Sequence, residues 1–408
     1  MSVPKLITLL LLMIALGVRS QNVICGVVTD RQTGKSISHV SVVAEGNLGQ
    51  TVTNDDGRFV LKTSRCPSYV KLSHIGYRTL VQAVKEGETD YLKLVMTSNS
   101  VTLDEVVVSV DDPLSIIKAA MSRIPQNYPQ DAELMNCFYR ETSQRGSRFI
   151  SIAEAVTEMY KTGYGRGTEL DAVAILKGRR LMNMKVSDTL GVKIQGGPVM
   201  PLVVDIAKNH DYLLNDEDLS HCEFHMEVPA KIDNRLHYVV RVVPQQSIPY
   251  PLMGGKLYVD CETLTFSRAD LQLDMSNSRR AAEYMLVSKP LSLRFRPKEL
   301  TMTVVYHTDS LGKTRMSYLR NVMRFNCDWK RRLFASSFTT VSEMVVTEYV
   351  QHDGKIRRPR GRSTFGLRDR FYDRVEYFDD PLFWADYNII EPTESLEHAI
   401  DKLKKRLR

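Results

Sequence analysis

The stretch from Gly26 to Gly46, GVVTDRQTGKSISHVSVVAEG, alternates short β-rich runs with polar turn residues, and Thr51 to Lys62, TVTNDDGRFVLK, repeats this pattern. Asp56-Gly57 in the second run supplies the positive φ angle that a tight hairpin needs. Phe59 and Leu61 then point to one face of a strand, because successive side chains alternate between its two faces. Both runs therefore predict strands joined by tight turns.

Residues 21–110 are predicted to form a small all-β module, because strand-like runs follow one another at the spacing typical of a β-sandwich. The seven predicted strands are Val23–Thr29, Val40–Ala44, Thr51–Thr53, Phe59–Lys62, Tyr69–Ser73, Tyr77–Val81 and Tyr91–Leu94. Six cysteines allow many disulfide pairings. We predict a disulfide only between Cys25 and Cys66, because both fall within this module. The alternative is that the cysteines are small buried hydrophobic residues.

The beginning of the chain has the layout of a secretory signal peptide, predicted over residues 1–20. Lys5 precedes an unbroken apolar run from Leu6 to Leu16, which is shorter than the roughly 20 residues that cross a bilayer. Removal of Lys5 and Arg19 with this segment would lower the formal net charge from +7 to +5. An exported protein with this mild basic excess is expected to meet acidic glycans or lipid head groups and no nucleic acid.

Residues 111–408 are predicted to form a larger, mainly β domain, a curved antiparallel sheet or half-barrel with helices. A connector helix is predicted over residues 112–124, ended by Pro125. A hairpin follows at 134–143 and 149–160, and further strands extend from His221 almost to Tyr349. An amphipathic helix is predicted over residues 393–407, with its apolar stripe either docked on its own domain or lying on a membrane surface.

The best metal-like pattern is the row His221, Glu223, His225 and Glu227, whose side chains would share one face of a strand. Polar residues at the same spacing are also expected on the solvent-exposed face of a sheet, and no zinc-binding motif accompanies this row. No nucleophile elbow, P-loop or dinucleotide fingerprint occurs in the sequence. We therefore assign no catalytic, cofactor or metal residues and expect a non-enzymatic protein, with a hydrolase of unrecognised site as an alternative.

Eight basic residues lie between Lys355 and Arg374, interrupted by Gly and Pro. Arg357, Arg358, Arg360 and Arg362 are the candidate anion- or glycan-binding residues, because guanidinium groups bind phosphate and carboxylate in bidentate fashion. The alternative interpretation is a solvated loop.

The two quoted runs, together with LSHIGYRTLV (72–81) and LDEVVVSV (103–110), resemble the carboxypeptidase-regulatory-like (transthyretin-like) domain of Bacteroidetes envelope proteins. This resemblance implies a non-catalytic β-sandwich used in adhesion or docking. It also implies a Gram-negative bacterium, so the expected location is the periplasm or the periphery of the outer membrane.

The second region is similar to two further groups of proteins. GGKLYVDCETLTFSRADLQL (254–273) resembles the strand pairs of the lipoprotein-carrier half-barrel. FYRE (138–141), KGRR (177–180), GGP (196–198) and the tail 379–403 resemble uncharacterised proteins that carry the same first module. The expected function is docking or ligand binding, with an envelope protein, a glycan or a lipid as partner and no transmembrane span in the mature chain. The alternative is a periplasmic lipid or lipoprotein carrier with an apolar cavity.

Overall fold

The computed structural model describes residues 22–85, 91–99, 112–182, 193–194, 196–210, 213–245, 252–329, 335–350, 356–361, 364–367, 369, 371–377, 384 and 387–407. The predicted signal peptide and the end of the predicted module after Asn99 lie outside these residues. Within them, no helix is both long and apolar enough to cross a membrane. The described chain is mainly β, as predicted, and consists of a small module followed by one large sheet.

The part of the module that the structure describes is a sandwich of seven strands in two sheets. Its strands are β1 (Asn22–Asp30), β2 (Ser41–Ala44), β3 (Gln50–Val52), β4 (Arg58–Thr63), β5 (Tyr69–Ser73), β6 (Leu80–Ala83) and β7 (Leu92–Met96). The sheets have the orders β4-β1-β7 and β3-β2-β5-β6, and β7 runs parallel to β1. Apolar side chains from both sheets form one core, which includes Val28, Val42, Phe59, Leu61, Val70 and Leu72.

The turn before β4 shows why the sequence requires glycine there. Gly57 has a φ angle of +74°, and a Cβ at this position would lie 2.7 Å from the carbonyl oxygen of Val28. The Asn54 side-chain oxygen accepts hydrogen bonds from the N–H groups of Asp56 (3.0 Å) and Arg58 (2.9 Å). The turn predicted from Asp56-Gly57 is therefore confirmed, but the hairpin is not, because β3 and β4 belong to different sheets and the turn carries the chain from one sheet to the other.

The disulfide that the sequence suggested is not formed, because Cys25 and Cys66 are both free. In the register of β1 and β4, Asn22 lies opposite Thr63, so Cys25 is three residues, or about 10 Å, from that end of the strand pair. Cys66 follows Thr63 outside the strand. The pairing of β1 with β4 therefore does not bring Cys25 opposite Cys66, whereas a disulfide requires Cα atoms within about 7 Å.

The connector helix is shorter than predicted. Helix α1 spans Pro113–Ser122 and buries Ile116, Ile117 and Ala120. A separate short helix, α2, spans Ile124–Asn127 with a proline in its first turn. Pro125 therefore begins a new helical turn instead of ending α1, because proline at the first positions of a helix loses no hydrogen bond.

Among the described residues, the large sheet contains twelve strands and is open, with β12 and β20 at the ends of its order. Its strands are β8 (Glu133–Arg145), β9 (Arg148–Lys161), β10 (Ala172–Met182), β12 (Cys222–Ile232), β13 (Arg235–Pro244), β14 (Met253–Asp260), β15 (Phe266–Leu273), β17 (Leu293–Thr308), β18 (Thr314–Trp329), β19 (Ser336–Tyr349), β20 (Thr364–Phe365) and β21 (Glu376–Tyr377). The order is β12-β13-β14-β15-β17-β18-β19-β8-β9-β10-β20, and β21 pairs in parallel with β10. Two short strands, β11 (Lys193–Ile194) and β16 (Leu286–Ser288), pair separately.

The sheet has an inner face, which carries the main core, and an outer face, which meets the module. Met135, Cys137 and Tyr139 of β8 point to the inner face, which also packs with the helices. These helices include α1, α3 (Met200–Val203), α4 (Asp216–Ser220), α5 (Ser278–Met285) and α6 (Phe371–Arg374). Phe138 of β8 points to the outer face and packs with Trp384.

The C-terminal helix α7 spans Glu394–Leu407, close to the predicted bounds. Its apolar residues Leu396, Ile400 and Leu403 form one buried cluster with Ile152 and Leu181 of the large sheet. This confirms the prediction that the apolar stripe docks on its own domain.

Trp384 and residues 387–393, here called the strap, join the module to the outer face of the sheet. The Lys62 N–H donates to the Asn388 side-chain oxygen (2.6 Å), and the Asn388 amide donates to the Lys62 carbonyl (2.8 Å). The Asn388 side chain thereby forms hydrogen bonds with both backbone groups of Lys62 at the edge of β4, as a neighbouring strand would. On the other side, Arg140 of β8 donates to the Ile390 carbonyl (2.7 Å). The module is therefore fixed to the sheet through the C-terminal segment.

A second contact between module and sheet centres on His39. Its Nε2 lies 3.3 Å from an Asp55 carboxylate oxygen and 3.6 Å from one of Glu343 on β19. Burial alone would lower the pKa of His39, but its contacts with Asp55 and Glu343 raise it above the ordinary value. Burial would raise the pKa of Glu343, but the contact with His39 and the charges of Arg320 and Arg140 hold it down at about 2. A protonated His39 thus bridges two carboxylates across the interface.

This bridge predicts a pH-dependent contribution to stability. A raised folded pKa means that the contribution is fully present below the unfolded pKa of about 6.5 and is lost as pH rises through the folded pKa. We expect the loss of melting temperature caused by His39→Asn to be larger near pH 5.5 than near pH 9, measured by differential scanning calorimetry. Asparagine suits the positive φ of His39 (58°), so backbone strain does not confuse the result. The exposed His398→Asn is the control, and an equal loss at both pH values would contradict the prediction.

Candidate functional site

A cleft of about 620 Å³ lies at the edge of the large sheet, beside β10 and β20. One wall is formed by α3 and the residues that flank it, and the opposite wall by residues 358–361 and 364–367. Because β20 pairs with the first residues of β10, it places the second wall at the sheet edge.

Apolar and polar side chains share the lining of the cleft. Val199, Leu202 and Val203 line it from α3 and the residue before it, and Phe365 and Leu367 from the other wall; we call these five residues the apolar floor. The polar residues Thr168, Asn209 and Thr364 line the cleft as well. Phe365 packs against Gly197, where a Cβ would lie 2.6 Å from the ring. Gly197, within the GGP motif, therefore allows the two walls to approach closely.

Two of the four predicted arginines line this cleft. Arg358 and Arg360 are both exposed, and neither forms an ion pair with a described residue. Arg357 is also exposed, but it does not line the cleft. Arg362 lies outside the described residues. The arrangement sets positively charged guanidinium groups above an apolar floor.

The acidic residue of the cleft is neutralised from inside the protein. Asp171 accepts a hydrogen bond from the buried Lys208 ammonium group (2.7 Å) and from the Thr162 N–H (2.8 Å). Burial lowers the pKa of Lys208, although Asp171 opposes this shift. With Asp171 paired in this way, the arginines dominate the charge of the cleft.

A second buried ion pair fixes the chain that follows α3. Asp205 is fully buried and pairs with Lys161 at the end of β9. It also accepts hydrogen bonds from the hydroxyls of Tyr164 (3.1 Å) and Tyr306 (2.9 Å). The wall of the cleft is thus anchored to the core by hydrogen bonds and not by apolar contact alone.

The predicted metal-like row does not converge on one point. Glu227 pairs with Arg241 (3.2 Å) and Lys256 (2.5 Å) on neighbouring strands, while the His225 ring lies 3.7 Å from Glu223. His221 precedes β12 and ends α4. In the part of the chain that the structure describes, no group of three or more potential metal-binding side chains is placed to hold an ion. The row behaves as a charged surface of the sheet.

Sequence reasoning missed Glu141, which lies on the inner face of β8. It accepts a hydrogen bond from the Tyr139 hydroxyl (3.1 Å), which in turn accepts one from the Gly197 N–H (3.0 Å). Burial raises the pKa of Glu141 to about 7. The signal was present in the strand pattern, because Glu141 continues the alternate row of Met135, Cys137 and Tyr139.

Comparison with known families classifies the first module. Residues 24–108 match the model of the CarboxypepD_reg-like domain, which confirms the resemblance predicted for this part of the chain. The large sheet lies outside the match, and its resemblance to uncharacterised proteins stays a prediction. No curated protein matches the sequence.

Two solved structures are similar to part of the chain. One is a DUF1329 family protein from Desulfovibrio piger, with 12% identity and a TM-score of 0.25. The other is a LolA superfamily protein from Nitrosomonas europaea, with 14% identity and a TM-score of 0.21. Each match covers 59% of this chain and 94% of the other protein. TM-scores this low do not establish a shared fold.

Proposed function

We propose that this chain is an exported, non-enzymatic envelope protein that binds an anionic amphiphile, with the charged head at Arg358 and Arg360 and the hydrocarbon chain on the apolar floor. The observation that carries this proposal is the cleft itself. Its volume of about 620 Å³ falls within the range of small-molecule sites, about 300–1,000 Å³. Two exposed guanidinium groups above an apolar floor match a ligand with one phosphate or carboxylate group and an alkyl chain.

The apolar floor favours a lipid-like ligand over a glycan. Leu202, Val203 and Phe365 offer no hydrogen-bonding side chains, so a sugar ring lying against them would leave the hydroxyls on that side unpaired, although Thr168, Asn209 and Thr364 elsewhere in the lining do offer partners. The lipid-carrier hypothesis is therefore preferred to the glycan hypothesis for this site. The signal-peptide pattern of residues 1–20 supports export, and the location we propose is the periplasm or the periphery of the outer membrane.

Calorimetric titration of the full chain tests the proposal, with monomeric dodecyl phosphate as the probe. We expect saturable binding, and at least tenfold weaker binding of inorganic phosphate, which has no chain to bury. The double variant Arg358→Ala, Arg360→Ala should bind dodecyl phosphate at least tenfold more weakly, because each charge-assisted hydrogen bond contributes about 1.5–3 kcal/mol. Raising the salt concentration should weaken the wild-type binding, since both arginines are exposed.

Arg357→Ala is the matched control. Arg357 is exposed and adjacent to Arg358, but it does not line the cleft, so its removal should change affinity by less than about twofold. If Arg357→Ala weakened dodecyl phosphate binding as much as the double variant does, the effect would come from the net charge of the protein and not from the cleft. Equal affinity for dodecyl phosphate and inorganic phosphate would rule out the apolar floor as part of the site.

A further inference from the structure

The turn before β17 carries a leucine that is almost completely exposed. Leu291 has 98% of its surface exposed, and Val287, four residues earlier, is 41% exposed. The Leu293 N–H donates to the Pro290 carbonyl (3.1 Å), and the Lys289 ammonium group donates to the Leu293 carbonyl (2.9 Å). These hydrogen bonds close the turn, so the Leu291 side chain is held at its tip and away from the core.

The strand that follows this turn exposes a row of cations. Alternation along β17 buries Leu293 and Phe295 and exposes Arg294, Arg296 and Lys298. Residues 278–298 contain six lysines and arginines against one carboxylate, whereas the whole chain contains 55 against 48. An apolar tip and a local excess of positive charge therefore lie together. We call the following residues the basic tip: Val287, Lys289, Leu291, Arg294, Arg296 and Lys298.

The carboxylates beside this row are already paired with arginines. The ion pairs are Asp328 with Arg296 and Glu299 with Arg324. By contrast, neither Arg294 nor Lys298 forms an ion pair with a described residue. Their positive charge is therefore available to an anionic partner.

A second exposed leucine shows that exposure alone does not create such a surface. Leu311 is 85% exposed and lies in the turn at the other end of β17. There the Asp309 carboxylate accepts hydrogen bonds from the N–H groups of Leu311 and Lys313, both at 2.9 Å, and pairs with Arg315. Single exposed apolar side chains are common on proteins. Leu291 differs because unpaired cations follow it.

We propose that the basic tip docks the protein on an anionic bilayer surface, with Leu291 and Val287 at the acyl boundary and the cations at the lipid head groups. The size of the surface favours a bilayer over a protein partner. A stable protein interface buries about 1,200–2,000 Å², which two exposed aliphatic side chains and a row of cations do not provide. Attachment to a bilayer needs only a small apolar area together with cations near anionic lipids. The basic tip shares no residue with the cleft, so this docking does not depend on the proposed ligand binding.

Co-sedimentation of the full chain with sucrose-loaded vesicles tests the proposal. One set of vesicles contains phosphatidylcholine alone, and the other contains about one third phosphatidylglycerol. We expect at least tenfold tighter binding to the anionic vesicles, and a loss of this preference at high salt, since the cations are exposed. The neutral vesicles also measure any binding through the apolar run from Leu6 to Leu16. Equal binding to both sets would overturn the proposal.

Two variants of exposed residues test the basic tip itself. Arg294→Gln combined with Lys298→Gln should weaken binding to the anionic vesicles at least tenfold, because each cation near an anionic surface contributes. Leu291→Ser should weaken it at least threefold, because the inserted apolar area is lost. Unchanged affinity in either variant would contradict docking through this surface.

Matched controls carry the same changes elsewhere on the surface. Leu311→Ser, and Lys35→Gln combined with Lys118→Gln, also alter exposed residues and should change affinity by less than about twofold. Weakening by these controls equal to that of the basic-tip variants would assign the effect to net charge or general hydrophobicity and overturn the proposal.

Two further measurements separate the bilayer from other partners. Poly-L-glutamate is an acidic polymer without acyl chains, and we expect it to bind at least tenfold more weakly than the anionic vesicles. Equally tight binding of this polymer, unaffected by Leu291→Ser, would assign the surface to an acidic protein and overturn the proposal. The Arg358→Ala, Arg360→Ala double variant should bind vesicles as the wild type does. Loss of vesicle binding in that variant would place the membrane contact at the cleft instead.

Discussion

Glu154→Ala is expected to destabilise the protein by about 3–5 kcal/mol, the cost of leaving buried charges without their partner. Glu154 of β9 is 1% exposed and accepts hydrogen bonds from the Nε atoms of Arg140 and Arg179, both at 2.7 Å. Burial would raise the pKa of Glu154, but the two arginines hold it down at about 2. Loss of this carboxylate leaves two cations at the outer face. The measurement is the free energy of unfolding from urea denaturation.

The same substitution should loosen the strap, because Arg140 also donates to the Ile390 carbonyl and the Trp384 indole N–H lies 3.3 Å from Glu154. Limited proteolysis is expected to cut the strap faster in Glu154→Ala than in the wild type. Glu158→Ala, on the same strand and only partly buried, is the matched control and should change stability by no more than about 0.5 kcal/mol. Similar losses for the two variants would mean that the ion network does not hold the outer face together.

Asp205→Asn should cost a similar amount, about 3–5 kcal/mol, because it leaves the ammonium group of Lys161 buried without a counter-ion. Lys161 is 4% exposed and Asp205 is fully buried, so water cannot replace the lost carboxylate. The hydroxyls of Tyr164 and Tyr306 donate to different oxygens of Asp205, so asparagine keeps an acceptor for only one of them and the substitution removes a hydrogen bond together with the charge. Urea denaturation again gives the free energy of unfolding.

A second substitution distinguishes the lost charge from the lost hydrogen bond. Adding Lys161→Met to Asp205→Asn should recover most of the lost stability, since replacing a buried ion pair by apolar groups is often close to neutral. A double variant no more stable than Asp205→Asn alone would show that the hydrogen bonds of Asp205, and not its charge, carry the effect.

Local patterns were sufficient to predict the module and several elements of the large sheet. Asp56-Gly57 fixed a turn whose geometry excludes a side chain at Gly57, and the alternating residues of Phe59 and Leu61 both enter the core. The C-terminal helix was equally predictable, because its apolar residues recur at helical spacing. The Cys25–Cys66 pairing failed, since closeness along the chain does not fix the offset of two strands.

The candidate site was only half predictable. Arg358 and Arg360 were singled out by their charge, but nothing in the sequence showed that they would face Leu202 and Val203, about 150 residues earlier. Glu141 was overlooked, although the alternate row of Met135, Cys137 and Tyr139 places it on the same face as those residues; only its hydrogen bond from Tyr139 and its burial required the tertiary structure.

Short-range patterns specify the β-rich character of this chain, the strands and turns of its first module and the amphipathic C-terminal helix, because alternation, turn residues and helical spacing act within about ten residues. Only long-range contacts show that the C-terminal strap fastens the module to the sheet through Asn388 and Arg140. They also decide which polar groups become buried without a counter-charge. Both depend on the pairing of strands far apart in the chain, where a shift of one residue would turn every side chain to the opposite face.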